Sequence, residues 1–191
     1  AAPTDLFYPD LSARAPRIAS RDSVPASRLP SLLIKQRRQY QRGLLAWLRG
    51  DAGGAATMRE AIAGIEDVAT QSSLRTFWWT AGALVEALAG DGLEVGFGVK
   101  QLAARIDLQI RRVAEGSAKV ADRLRREVLY HVAIAAPVGP QVQAVQRTYG
   151  LAGLIPSPEA IGTDVVLLQP TIREAREQLA AAKDTWLKFA S

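Results

Sequence analysis

The single histidine of this 191-residue chain is the first side chain whose chemistry could define a function. His131 lies in the segment LYHVAIAA, on or beside the apolar side of a predicted helix. An imidazole there could accept a phosphoryl group or act as a general base. The sequence offers no second histidine and no cysteine, and the nearest acidic residue in the sequence is Glu127, four positions earlier. We therefore favour a packed histidine with a satisfied ring nitrogen, and keep a phosphoacceptor role as the alternative.

Other residue types that often carry catalysis are present, but their spacing does not suit it. The acidic pairs Glu66-Asp67 and Asp122-Glu127 fall on the polar faces of predicted amphipathic helices. The stretches GDAGG and GDGLEVGFG lack the Lys-Ser/Thr that completes a phosphate-binding loop. The sequence also lacks the Glu-x-x-His motif of di-iron bundles, and one histidine argues against a hydrolase triad. These patterns predict a domain that is not an enzyme and uses no metal or cofactor.

Three consecutive aromatic residues, Phe77-Trp78-Trp79, point instead to protein recognition. Successive helical positions diverge by about 100°, so we expect at least one of the three rings to lie outside the core. Tryptophan is enriched among the residues that dominate interface energies, and the next predicted helix has a basic face. The predicted protein-binding residues are Trp78, Trp79, Arg105, Arg111 and Arg112. The alternative is that the aromatic run only fills the core.

The net charge of +5 is unevenly distributed along the chain. Residues 1–50 contain nine Lys or Arg and three Asp, whereas residues 51–191 contain fifteen basic and sixteen acidic residues. A nucleic-acid-binding protein usually concentrates basic residues on a folded face, often with aromatic residues for stacking. The distribution therefore disfavours nucleic acid as a partner. A regulatory module that binds nucleic acid through a basic N-terminal arm remains the alternative function.

The positions of proline and the helical spacing of apolar residues define the elements that would place these side chains. Residues 1–30 contain five prolines and no sustained period, which indicates an extended Pro/Arg-rich arm whose LFYP cluster can dock on the body. We expect residues 31–191 to form one helical domain. The sequence predicts an all-α fold, a bundle of about six or seven helices. The predicted helices are 31–49, 55–70, 72–89, 94–115, 118–136, 140–149 and 171–190, with a loop at 150–168.

The hydropathy of the chain gives an expectation about its location. No apolar run approaches the roughly 20 residues of a membrane-spanning helix, and the N-terminus is acidic where a secretion signal is basic. We expect a cytoplasmic domain without membrane insertion. The absence of an initiating methionine indicates a piece of a longer protein.

Four segments in order carry a resemblance to a known family. The segments are YQRGLLAWLRGD (40–51), LRTFWWTAGALVEALAGDGL (74–93), KQLAARIDLQIRRVAEG (100–116) and REVLYHVA (126–133). Together they resemble the FimL-like N-terminal domain of the CheA-like hybrid histidine kinases of the ChpA/PilL group, which control type IV pili. The resemblance covers most of the chain.

The resemblance implies a degenerate histidine-phosphotransfer domain. An active domain of that class carries His-x-x-Lys-Gly. With the glycine of that motif placed on Gly82, Trp78 stands where the phosphoacceptor should be and Ala81 where the lysine should be. Indole cannot accept a phosphoryl group in this way, and alanine offers no cation. The implied function is non-catalytic scaffolding in a chemotaxis-like, two-component pathway that controls twitching motility, with other proteins of that pathway as partners.

Overall fold

The computed structural model describes residues 3–16 and 24–155, and within these ranges every regular element is helical. The α-helices are α1 (Leu29–Leu48), α2 (Gly53–Val68), α3 (Ser72–Ala89), α4 (Phe97–Ala114), α5 (Asp122–Ile134) and α6 (Pro140–Tyr149). Short 3-10 helices cover Pro3–Leu6 and Leu151–Gly153. Phe7–Ile155 form one compact unit, and Pro3–Leu6 belong to a second one. The all-α prediction is confirmed.

Several helix boundaries differ from the predicted ones by a few residues. α1 begins at Leu29 rather than 31, because Pro30 fits the first turn of a helix, where no backbone N–H is required. α5 begins at Asp122 rather than 118, because Ala121 is extended and the Lys119 carbonyl accepts a hydrogen bond from the Gln109 side chain at 2.9 Å. The predicted helix 171–190 and the loop beyond residue 155 lie outside the described residues.

α3 is the central helix of the described unit. Every residue from Thr76 to Leu88 is buried, because α2, α5 and α6 all pack on this helix. A helix that is apolar on all sides is typical of such a position. α4 lies elsewhere, packed mainly on α1 and less closely on α5.

α1 and α2 form a helical hairpin in which the two backbones approach closely at a pair of glycines. A Cβ atom on Gly43 would lie 2.7 Å from the carbonyl oxygen of Gly54 and 2.8 Å from the backbone nitrogen of Met58. No side chain fits in that space, so both glycines are required by the packing.

Residues 7–16, which we call the N-terminal strap, are not helical but pack on the bundle. The Phe7 ring is fully buried and meets Tyr130 edge-on, with ring centroids 5.6 Å apart. Arg125 of α5 donates a hydrogen bond to the Leu11 carbonyl at 2.7 Å. The backbone N–H of Ala15 donates to the Thr76 hydroxyl at 3.1 Å. This part of the predicted arm therefore contributes to the core.

Candidate protein-binding surface

The aromatic run of α3 lies in the core. Phe77, Trp78 and Trp79 are 2%, 0% and 8% exposed. The prediction of an exposed ring is wrong, because it assumed that α3 buries only one face. Neighbouring helices cover α3 on all sides, so side chains that diverge by about 100° are all buried.

Trp78, which occupies the place of the phosphoacceptor in the family resemblance, is closed to solvent. Its indole packs edge-on against Phe77, with ring centroids 4.8 Å apart. The indole Nε1 finds no hydrogen-bond acceptor among the described residues, and Ala81 is fully buried as well. A phosphoacceptor must be exposed to enter the active site of a partner enzyme, and both of these side chains are fully buried.

An open cleft of about 350 Å³ lies between α2, α3 and α6, with Gly82 in its wall. A Cβ atom at Gly82 would lie 2.5 Å from the side-chain nitrogen of Gln141, which itself donates to the Trp79 carbonyl at 2.9 Å. Two charged residues that line the cleft are already engaged. Arg59 donates to Glu86 at 2.8 Å, and Glu60 accepts from Gln39 at 3.1 Å.

Glu86 connects three helices, and our reading of the sequence did not single it out. One carboxylate oxygen accepts from Arg59 of α2, and the other accepts from the backbone N–H of Val142 in the first turn of α6, both at 2.8 Å. Glu86 therefore acts as the N-terminal cap that the Gly139 position cannot supply. Glu86 is the only charged residue between Trp78 and Ala89, and a single carboxylate in an otherwise largely apolar run was the signal that could have identified this residue.

His131 makes the contacts of a packed histidine. Its Nδ1 lies 2.8 Å from the Glu127 carbonyl one turn earlier on α5, so this nitrogen is the natural donor. Its ring meets Tyr130 edge-on at 5.4 Å between centroids. The side chain is half-buried.

Arg105, one of the predicted binding residues, is engaged within the domain. It forms an ion pair with the buried Glu127 of α5, which also accepts from Arg123 at 3.2 Å. Burial acts to raise the pKa of Glu127, but the hydrogen bonds and charges of Arg105 and Arg123 outweigh it, and the pKa is lowered. Arg105 thus holds α4 to α5.

The outer face of α4 presents the other two predicted arginines. Arg111 pairs with Glu115 at 2.8 Å, whereas Arg112 is exposed and has no acidic partner among the described residues. Leu108 is also exposed on this helix. The tryptophans and arginines do not form one site, because α3 packs on α2, α5 and α6 while α4 packs on α1 and α5. What remains is an exposed basic surface in the C-terminal half of α4, to which neither tryptophan contributes.

No group of three or more His, Cys, Asp or Glu residues in the described ranges could hold a metal ion. No helix there has both the length and the apolar character needed to cross a membrane.

Comparison with known proteins identifies the family. Residues 25–161 match the family model described as FimL scaffold protein second domain. The chain is 28% identical over 161 residues to Scaffold protein FimL of Pseudomonas aeruginosa, an alignment that covers 78% of this chain and 29% of that protein. The chain thus spans less than a third of the relative's length, and no solved structure matches it. Because the family model covers well over half of its residues, the chain belongs to the family of FimL scaffold protein second domains.

Proposed function

We propose that this domain is a non-catalytic scaffolding domain of a cytoplasmic, chemotaxis-like signalling protein that controls type IV pili and twitching motility. The observation that carries the proposal is the match of residues 25–161 to the second domain of a scaffold protein. The pilus and chemosensory context comes from the resemblance of four segments to the ChpA/PilL group.

The proposal includes a pseudo-phosphotransfer core, in which the helix that would carry the phosphoacceptor has become structural. The burial of Trp78 and Ala81 supports this view, because neither side chain offers phosphoryl chemistry and neither is accessible. The contacts of His131 support a packing role for the histidine.

A scaffold needs a surface that partners recognise, and the outer face of α4 is a candidate. Arg112 and Leu108 are exposed there, beside the internally paired Arg111 and Arg105. Exposed arginine beside an apolar side chain is a common composition at interfaces. Trp78 and Trp79 would contribute indirectly, by holding the bundle in shape.

Deletion of residues 25–155 from the natural protein in its source bacterium tests the proposal. We expect twitching motility to fall while the truncated protein stays at its normal level, and co-purification of pathway proteins to be lost. His131→Gln should leave both unchanged. Normal motility in the deletion strain would show that the domain has no role in pilus control.

A substitution on α4 tests the proposed surface separately. Arg112→Glu should weaken co-purification without changing the circular dichroism spectrum, because the side chain is exposed and makes no ion pair with described residues. Unchanged co-purification would place the partner on another face.

A further inference from the structure

α1 is strongly basic, and most of its charge is not neutralised within the described structure. The helix contains Lys35, Arg37, Arg38 and Arg42 and no acidic residue. Arg37 alone has a carboxylate partner among the described residues, since it donates to Asp107 of α4 at 3.1 and 2.9 Å. Lys35, Arg38 and Arg42 are exposed.

The exposed cations share their face with large apolar side chains. Ile34 and Leu45 are 46% and 54% exposed, and with Arg38 and Arg42 they make the set that we call the α1 stripe. The spacing of these four positions places them along one side of a helix. Ile34 and Leu45 are eleven residues apart, which corresponds to about 16 Å along the axis.

This arrangement costs the isolated domain stability. Arg38 and Arg42 stand one turn apart, where like charges repel each other on a helix surface. Ile34 at one end of this pair of arginines and Leu45 at the other remain exposed to water. An acidic, apolar partner would relieve both effects at once.

We propose that the α1 stripe binds an amphipathic helix of a partner protein that carries two or more carboxylates between two large apolar residues. The apolar residues would stand about eleven positions apart, to match Ile34 and Leu45. The carboxylates would face Arg38 and Arg42. This inference rests on the proposed scaffolding function and specifies the chemistry of one partner.

The composition of the stripe favours this partner over three others. Immersion in a bilayer would bury Arg38 and Gln41, which occupy the length of helix between the two apolar residues. A nucleic acid would match the cations but not the apolar pair, and the exposed part of α1 carries no aromatic ring on which a base could stack. Two copies of α1 face to face would bring cations against cations.

Site-specific cross-linking in the source bacterium can identify the segment. A photo-reactive amino acid is placed at position 41 of the full chain, beside the stripe. We expect it to capture a partner, and the cross-linked peptide should carry two or more carboxylates between two large apolar residues. A synthetic copy of that peptide then serves as the probe for binding to the purified full chain, measured by fluorescence anisotropy.

Charge exchange provides the decisive measurement. Arg38→Glu/Arg42→Glu should weaken binding of the peptide at least about tenfold, because it places like charges against each other. Exchanging two carboxylates of the peptide for lysine should restore binding to this variant and weaken binding to the original chain. The control Lys119→Glu/Arg147→Glu makes the same change in net charge at exposed positions outside α1 and should bind normally.

Three outcomes would overturn the inference. In the first, no cross-linked peptide shows the apolar and acidic pattern. In the second, the two double variants bind the peptide equally well. In the third, Arg38→Glu/Arg42→Glu mainly loses binding to phosphatidylglycerol vesicles or to DNA. If the deletion of 25–155 abolishes motility while the α1 variant twitches normally, the scaffolding function stands and the inference fails. If the deletion has no effect, the scaffolding function itself fails.

Discussion

The carboxylate of Glu86 accepts a hydrogen bond from the backbone N–H of Val142 at 2.8 Å, so that a side chain of α3 caps the first turn of α6. The first backbone N–H groups of a helix have no partner within the helix, and the partial positive charge there favours an anion. The same carboxylate binds Arg59 of α2. Three helices are therefore held together at one buried group.

Removal of this group should destabilise the domain. Glu86→Ala is expected to lower the free energy of unfolding of the full chain by roughly 2–4 kcal/mol, since it removes a cap and a partner of a partly buried ion pair. Gly139→Ala should act at the same place, because its Cβ would collide with the Glu86 carboxylate. Gly98→Ala, with open space around the added Cβ, is the control and should be neutral or slightly stabilising. Equal unfolding curves for all three variants in urea would contradict the capping role.

Both tryptophans of α3 should behave as core residues. Trp78→Ala and Trp79→Ala are each expected to cost about 3–5 kcal/mol, as truncations of large buried rings do. Phe97→Ala removes a ring that is 76% exposed and should have little effect on stability. Urea unfolding followed by circular dichroism measures all three. A Trp79→Ala variant that kept wild-type stability but lost a partner would restore the recognition role.

The N-terminal strap should contribute measurably to stability through one ring. Phe7→Ala is expected to lower the free energy of unfolding by about 3–5 kcal/mol, because the ring is fully buried against Tyr130. Its neighbour Tyr8 is 68% exposed, and Tyr8→Ala should change stability by less than about 0.5 kcal/mol. If the two variants unfold at the same urea concentration, the strap does not belong to the cooperative unit.

The ion pairs of Glu127 should make stability depend on acid pH. Its pKa is lowered in the folded state, so its contribution is complete above the ordinary glutamate value of 4.5 and is lost as the pH falls through the lower, folded value. Glu127→Gln should therefore be less stable by about 1–2 kcal/mol at pH 7. The difference should shrink in urea titrations as the pH falls below 4.5 and through the lowered pKa of the folded state, where the wild-type carboxyl takes up its proton.

A matched control separates this effect from general acid denaturation. Glu115→Gln breaks the exposed pair with Arg111 and should cost at most about 0.5 kcal/mol at any pH. A difference between wild type and Glu127→Gln that does not vary with pH would show that the carboxylate charge is not what stabilises the fold.

Local periodicity was sufficient to predict the six α-helices of the described residues, because each amphipathic stripe is a property of its own segment. Gly50 and Gly116 follow the ends of α1 and α4, and both have positive φ values, of 86° and 92°, which glycine adopts more readily than other residues. The start of α5 was missed because a tertiary hydrogen bond, from Gln109 to the Lys119 carbonyl, occupies the backbone there.

The site was harder to predict than the elements. Spacing shows which residues of a helix share a face, but it does not show how many neighbours the helix has. For that reason the run Phe77-Trp78-Trp79 was assigned an exposed ring although α3 is covered on all sides. The ion pair between Arg105 and Glu127 could not be predicted from spacing either, because it joins two helices whose contact depends on the packing of the whole bundle.

The strap also determines the order in which the chain can assemble. The backbone N–H of Ala15 donates a hydrogen bond to the hydroxyl of Thr76, 61 residues later. The carbonyl of Leu11 accepts one from Arg125, 114 residues later. Ribosomal synthesis delivers the strap first, but its binding partners on α3 and α5 emerge only after most of the bundle has been made. The buried place of Phe7 therefore stays unfilled until α5 has been synthesised, so the strap docks only after the helices on which it packs.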